Sequence, residues 1–251
     1  VLPLPDGVVL PPMVVTVAVE SEEAKAAAAA AAAVGELLLV PKVGDRYARV
    51  GALARVESTG VLPGGARALV VRATGRALVG TGVVGTGSGL WVTADPVAEV
   101  VPSGAAKRLG AELRATLRAL FERVGAASRG QAGRRLTEVL RGVDVDDPGA
   151  LADLAGWWPE LTTERKVELL EAVDVEARVA LVLGWAKEAL AELELTEKIG
   201  NDVREGIDKQ QREFLLRRQL DAIRKELDED DPDGGSTADG YRERIDALED
   251  A

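Results

Sequence analysis

The residues GTGVVG, Gly80 to Gly85, match the GxGxxG pattern with which dinucleotide-binding proteins hold a pyrophosphate group. That chemistry requires a helix beginning at the third glycine, so that the amides at its N-terminus face the phosphates. Glu99 lies near the distance expected of a ribose-binding acid. Because the next residues are TGSG, which cannot start a helix, we predict a flexible hairpin loop. A small-molecule-binding enzyme based on GTGVVG is the alternative.

Most other catalytic chemistry is disfavoured by the composition of the chain. Its 251 residues include no cysteine and no histidine, which removes thiolate ligands, the commonest metal ligand and the commonest general base. The sequence also lacks GxxxxGKS and GxxxxGKT, the phosphate-binding loops of many ATPases. We therefore predict no catalytic residue, no cofactor-binding residue and no metal site in this chain.

Two charged clusters lie near the end of the chain. The carboxylates from Asp228 to Asp233 lack the alternating ligand spacing of a calcium-binding loop, which favours a solvated helix end. The basic residues before them could contact nucleic acid: Arg212, Arg217, Arg218, Arg224 and Lys225. They alternate with acidic residues at spacings near three or four, which favours a self-paired helix face. The net charge of -11 also argues against a nucleic-acid partner.

Apolar residues in two places could bind polypeptide instead. LPPMV, which begins at Leu10, is an apolar loop with two prolines between strand patterns. It is either a rigid turn packed on the rest of the domain or an exposed patch that contacts extended polypeptide. Trp91 lies beside the glycine-rich loop, where we expect a partly exposed side chain. We therefore predict Leu10, Pro12, Met13 and Trp91 as substrate-binding residues.

These candidate residues belong to a β-rich domain that we predict over residues 1–102. Short runs rich in valine and leucine, such as MVVTVAV, ELLLV and ARALVVRA, alternate with glycine and proline. One alanine-rich helix interrupts them, with Ser21 as its N-cap and Gly35 as its stop. The long crossover helices of a parallel sheet are absent, so we predict a closed or half-closed barrel.

The remaining residues have helical patterns. Leucines spaced by three and four begin a helical bundle over residues 103–174, which includes a helix near Gln131–Arg141 and another capped by Thr162. Residues 175–230 keep helical spacing without a proline, and one helix of that length would be roughly 80 Å long, which exceeds the diameter of a small domain. Gly200 and Gly206 are where it would break. Residues 231–251 form an acidic linker and the start of another helix.

The distribution of charge and hydropathy along the sequence indicates where in the cell the protein is expected. Lysine and arginine number 8 against 9 acidic residues up to Pro102, and 23 against 33 thereafter, so the excess acid lies in the helical part. No apolar stretch is long enough to cross a bilayer, and the residues that follow Val1 do not show the basic segment and apolar run of a signal sequence. We expect a cytoplasmic part of a longer protein, without a membrane partner.

Several stretches resemble the amino-terminal region of ATP-dependent bacterial Lon proteases. LPLPDGVVLPPMVVTVAV, ELLLV and VGALARV resemble strands of the β-rich domain of that family. DPGALADL, ERKVELLEAVDVEARV and QQREFLLRRQLDAIRKEL resemble the helical region before its ATPase module, and the last of these is the most specific. The glycine-rich loop and the alanine-rich helix depart from the family pattern, so we transfer no contacts to them.

The resemblance implies an α+β protein: a PUA-like β pseudo-barrel, a helical bundle and a long coiled-coil-like helix that leads toward a hexameric ring. It implies that the parent protein is an ATP-dependent serine endopeptidase with a Ser-Lys dyad, dependent on ATP and Mg. The parent would be a homohexamer that degrades misfolded, damaged and selected regulatory proteins. Without a P-loop, this chain would lack the ATPase and protease modules.

The resemblance therefore assigns two roles to this chain, substrate recognition and assembly of the hexamer. Its partners would be unfolded or damaged proteins and other copies of itself. The alternative from a different functional class is a stand-alone structural or adaptor module that self-associates through the long helix.

Overall fold

Seven β-strands form a single sheet within residues 1–85, 88–98, 100–127 and 147–229, which are the residues that the computed structural model describes. The strands are β1 Leu2–Leu4, β2 Val14–Ala18, β3 Glu36–Val43, β4 Arg46–Tyr47, β5 Val50–Val61, β6 Arg67–Gly82 and β7 Val92–Pro96. Their hydrogen-bonded order is β1-β3-β5-β6-β2, with β4 also on β3 and β7 also on β6. β1 pairs with β3 in parallel, and the remaining pairs are antiparallel.

β5 and β6 are the long strands on which the sheet is built. Their ladder has register shifts between Leu53 and Ala54 and between Val56 and Ser58. Such irregularities bend a strand pair and increase its twist, which lets a long hairpin curve around a core. Valine and leucine side chains from the strands fill that core, among them Leu2, Leu39, Val40 and Val71.

The helix α1, Glu22–Val34, has the ends that the sequence predicts. The Ser21 hydroxyl accepts a hydrogen bond from the Ala24 amide at 3.1 Å, which satisfies an amide of the first turn. Gly35 ends the helix with a φ of 80°, and its amide donates to the Ala31 carbonyl. The buried side of α1 consists of alanines, so the helix lies close to the strands that it covers.

The helices after the sheet are α2 Gly104–Ala127, α3 Pro148–Asp153, a 3₁₀ helix Leu154–Trp157, α4 Thr163–Glu171 and α5 Val175–Glu229. Thr162 caps α4, as predicted: its hydroxyl accepts from the Arg165 amide at 3.3 Å. The helix predicted near Gln131–Arg141 lies outside the described residues. The mixed α+β class with a long C-terminal helix is confirmed.

The helix α5 is continuous over 55 residues and passes Gly200 and Gly206 without a break. The chain divides into two compact units, Val1–Glu192 and Leu193–Ala251, so α5 contributes to both. In the first unit it buries Val179, Val182, Leu183 and Ala186. The finer division into residues 1–102, 103–174, 175–230 and 231–251 stays a prediction. Among the described residues, no helix is long and apolar enough to span a membrane.

Candidate functional site

The glycine-rich stretch forms the end of β6 and its connection to β7, and no helix begins at the residues that the structure describes there. β6 and β7 pair antiparallel, and beyond the last ladder pair the Val83 amide donates to the Trp91 carbonyl at 2.9 Å. The N-terminal amine of Val1 donates to the Leu90 carbonyl at 2.8 Å, which ties the hairpin to the start of the chain. The prediction of a hairpin rather than a dinucleotide-binding turn is confirmed.

Trp91 lies across the backbone of Gly85 at this hairpin. A Cβ atom at Gly85 would overlap the five-membered part of the Trp91 indole ring, so glycine is needed for this close approach. The Trp91 side chain is 38% exposed, which matches the partial exposure that the sequence predicts. Its indole is therefore held by the loop and still reaches solvent.

Other large apolar side chains of the same hairpin are exposed as well. We call the set the hairpin patch: Leu78, Val83, Val84, Leu90 and Trp91. Single exposed apolar residues are ordinary, whereas several on one short segment are typical of an interaction surface. The sequence between Leu78 and Val92 contains no charged residue, and the nearest charge on β7 is Asp95, the cross-strand partner of Leu78. The end of the patch at the hairpin connection is therefore apolar.

The LPPMV loop is mostly buried, and only part of it is exposed. Leu10 is fully buried and Met13 is 6% exposed, while Pro12 faces solvent. A Cβ atom on Gly156 would lie 2.8 Å from the Met13 sulfur and 2.9 Å from Leu10 Cδ1, so the 3₁₀ helix covers this loop. The exposed-patch interpretation is therefore wrong for Leu10 and Met13. A binding role for Pro12 and Trp91 stays a prediction.

A buried cluster of charges, which no local sequence pattern predicts, joins the sheet to the helices of the first unit. Arg76 of β6 donates to both carboxylate oxygens of Asp153, at 2.9 and 2.6 Å, and Arg178 of α5 donates to the same carboxylate at 3.1 Å. Arg76 Nε also donates to the Leu170 carbonyl at 3.0 Å. Each of the three charged residues is at most 5% exposed. The cluster fixes β6 against α3, α4 and α5.

A second ion pair makes a similar connection nearer the surface. The Glu171 carboxylate at the end of α4 accepts from the Arg49 amide at 2.7 Å and from Arg49 Nη2 at 2.9 Å. Burial opposes ionisation of Glu171, but the hydrogen bonds from Arg49 and its positive charge outweigh burial and lower the pKa of the Glu171 carboxyl. The pair therefore links the start of β5 to α4 while Glu171 is ionised.

A cleft lies beside the buried cluster in the described part of the chain. It has a volume of about 170 Å³ and is lined by Arg76, Arg178, Val97, Pro102 and Val173 with their neighbours. Clefts that bind small ligands have volumes of roughly 300–1,000 Å³. Its small size and the absence of any GTGVVG residue from its lining give no support to the small-molecule enzyme alternative.

The second unit exposes two runs of apolar side chains along α5. Leu195, Ile199, Val203 and Ile207 follow each other at steps of four, and Leu216, Leu220 and Ile223 form a second stripe. At 3.6 residues per turn, Leu216 lies about two and a half turns after Ile207, whereas Leu220 lies within about 20° of the direction of Leu195. The second stripe is therefore shifted around the helix from the first and partly overlaps its face.

Comparisons with known proteins identify the family. The family model described as the ATP-dependent protease La (LON) substrate-binding domain matches residues 1–188. The chain is 44% identical to a Lon protease of Mycolicibacterium smegmatis, and the match covers 99% of this chain and 31% of that protein. A Lon protease of Salinispora arenicola gives the same identity and coverage. The chain thus spans about a third of the length of these curated relatives.

Solved structures agree with the sequence comparison. The N-terminal domain of a Mycobacterium avium complex Lon protease superposes with a TM-score of 0.65 at 36% identity, covering 74% of this chain and 96% of that one. A Lon N-terminal domain protein from Xanthomonas campestris shares the fold at a TM-score of 0.50 and 18% identity, over 73% of this chain and 95% of that one. The chain therefore belongs to the LON substrate-binding domain family.

Proposed function

We propose that this chain recognises unfolded or damaged polypeptide for an ATP-dependent serine protease and contributes to the assembly of its hexamer. The observation that carries the proposal is the hairpin patch, an exposed apolar surface on a member of a substrate-binding domain family. Unfolded proteins expose apolar side chains that native proteins bury, so an apolar surface distinguishes the two by the hydrophobic effect.

Trp91 is the proposed anchor of this surface. Large aromatic side chains contribute most to binding when they are rigidly held, because little conformational entropy is lost on contact. Packing against Gly85 holds Trp91 in this way. Pro12 is the exposed member of the LPPMV loop and a second proposed contact, while Leu10 and Met13 support that loop from within.

The remaining proposals concern the whole enzyme. By resemblance it is a cytoplasmic homohexamer that uses ATP and Mg and a Ser-Lys dyad to degrade misfolded, damaged and regulatory proteins in quality control. Six copies of a weak polypeptide-binding surface raise the effective affinity without any new contact. The exposed stripes of α5 support a role in assembly, because such surfaces are normally covered by a partner.

A binding experiment tests the recognition role. Val84 has a fully exposed side chain, so Val84→Asp leaves the fold intact and places a charge in the hairpin patch. We expect Val84→Asp and Trp91→Ala each to weaken binding of an unfolded, fluorescently labelled model protein by about tenfold. Trp157→Ala is the matched control, because Trp157 is 49% exposed but lies on the 3₁₀ helix. Equal affinity of all four proteins for the unfolded client would refute the assignment.

The adaptor alternative is favoured by one observation, the exposed apolar stripes of α5. A stand-alone adaptor that uses this helix would form a strict dimer at low concentration. A part of a hexameric enzyme would be a monomer or a weak oligomer. Light scattering over a concentration series separates the two, and a strict dimer that Leu195→Asp dissociates would favour the adaptor.

A further inference from the structure

The strand β2 is at the end of the sheet order, and its hydrogen-bond register shows which backbone groups point outward. The Ala73 amide donates to the Met13 carbonyl at 2.9 Å, and the Val19 amide donates to the Arg67 carbonyl at 2.8 Å. Hydrogen-bonded pairs alternate along an antiparallel ladder, so Val15 and Val17 also point their backbone groups toward β6. Val14, Thr16 and Ala18 therefore point their N–H and C=O groups away from β6.

The outer edge of β2 has no partner in the part of the chain that the structure describes. β6 is the strand with which β2 pairs, and no hydrogen bond among the described residues reaches the outward groups of Val14, Thr16 or Ala18. Edge strands are usually protected from other chains by lysine, proline or a bulge. The residues VVTVA of β2 contain none of these protections, and their ladder with β6 is regular.

We infer that the outer edge of β2 binds an extended segment of client polypeptide as an added β-strand. The inference rests on the proposed function and specifies its substrate class: polypeptide with an unpaired, extended backbone. A row of alternating N–H and C=O groups is matched by another extended backbone of almost any sequence. Native proteins pair their backbone N–H and C=O groups internally. An edge that binds unpaired backbone groups therefore selects unfolded segments, whatever their side chains.

The dimensions of β2 favour a client over a second copy of this chain. Its five residues are about 17 Å long at 3.4 Å per residue. An interface between two such strands is far smaller than the roughly 1,200–2,000 Å² that a stable protein dimer buries. The addition of one short strand is instead suited to weak binding of a client segment.

The hairpin patch lies in a position to extend the same contact. β5 pairs with one side of β6, whereas β2 and β7 pair with its other side, at residues 68–72 and 77–82. A client strand on β2 would therefore run on the side of β6 that also carries the hairpin with Trp91. Backbone pairing at β2 and apolar contacts at the hairpin patch would act on one extended segment.

A modified peptide tests backbone pairing directly on the 251-residue chain. The probe is a short fluorescein-labelled peptide of alternating valine and threonine with terminal lysines. A second peptide has the same side chains but carries N-methyl groups on two consecutive central residues, so that neither of its edges can form a continuous ladder. We expect N-methylation to weaken binding by at least about tenfold. Equal affinities of the two peptides would overturn the inference.

Two variants at one position provide the complementary test. Thr16→Pro removes an outward N–H group and leaves the hydrogen bonds from β2 to β6 in place, a position where edge strands tolerate proline. Thr16→Val keeps the N–H group and changes only the side chain. We expect Thr16→Pro to lose peptide binding about tenfold and Thr16→Val to retain it. If Thr16→Pro does not fold, the N-methylated peptide decides the question on the unmodified chain.

The outcomes separate this inference from the proposed function. If the chain binds an unfolded client, but neither N-methylation of the peptide nor Thr16→Pro changes the binding affinity, the β2 inference is overturned and the proposed function stands. If the chain binds no unfolded polypeptide, the proposed function fails and the inference fails with it. If Thr16→Pro dissociates a dimer without changing peptide affinity, the occupant of the edge is a second copy, which also overturns the inference.

Discussion

Removal of the Asp153 carboxylate is expected to be the most destabilising single change in the buried charge cluster. The Asp153→Ala protein would retain two guanidinium groups, of Arg76 and Arg178, that are buried without their shared carboxylate. All three residues are at most 5% exposed, so solvent screens their interactions little. Breaking a buried ion pair in this way costs about 3–5 kcal/mol in the free energy of unfolding. That is a large share of the roughly 5–15 kcal/mol that stabilises a typical protein.

Thermal and urea denaturation followed by circular dichroism measure this loss. At about 2–4 °C per kcal/mol for a chain of this size, Asp153→Ala lowers the melting temperature by roughly 6–20 °C. Glu57→Ala is the control, because Glu57 pairs with Arg72 in a half-exposed ion pair that contributes about 0–1 kcal/mol. A loss for Asp153→Ala no larger than that for Glu57→Ala would refute the reasoning.

Two further predictions concern the contacts between the sheet and the helices. Gly156→Ala would push a methyl group into Leu10 and Met13, and we expect a loss of about 1–3 kcal/mol in urea denaturation, whereas Gly184→Ala, with open space around it, should not destabilise the protein. The lowered pKa of Glu171 means that its contribution to stability is present above the unfolded value near 4.5 and is lost as the pH falls through the lower folded-state pKa. Wild-type stability should therefore decrease more over that acidic range than the stability of Glu171→Gln, and equal pH profiles would contradict the role of Arg49.

Local elements were predicted well because their signals lie in adjacent residues. Ser21 and Thr162 cap helices, Gly35 ends one, and the unbroken apolar spacing after Val175 corresponds to one continuous helix. Each of these features depends on propensities and hydrogen bonds within a few positions. The hairpin at Gly85 was predicted for the same reason, since the residues after it cannot begin a helix.

The features that the sequence did not predict depend on contacts between distant segments. Leu10 and Met13 are buried because the 3₁₀ helix, more than 140 positions later, has a glycine where it meets them. Arg76, Asp153 and Arg178 form a cluster from three separate elements, and no local pattern marks any of them.

The register of β2 belongs to the same class of features. Alternation of apolar residues predicts a strand, but which backbone groups point outward is decided by the partner strand and its alignment. The sequence alone therefore identifies β2 as a strand and leaves its free edge undetermined. Thr16 becomes a candidate contact only after the pairing of β2 with β6 is known.

Amide hydrogen exchange of the 251-residue chain, with and without an excess of unfolded client, shows directly whether the sheet captures client polypeptide. We expect the client to slow exchange in β2, at the outward amides of Val14, Thr16 and Ala18, and in the hairpin from Leu78 to Val92. Exchange of the amide of the fully buried Leu10 should change little. Protection confined to α5, with β2 and the hairpin unchanged, would contradict the claim that the sheet captures client polypeptide.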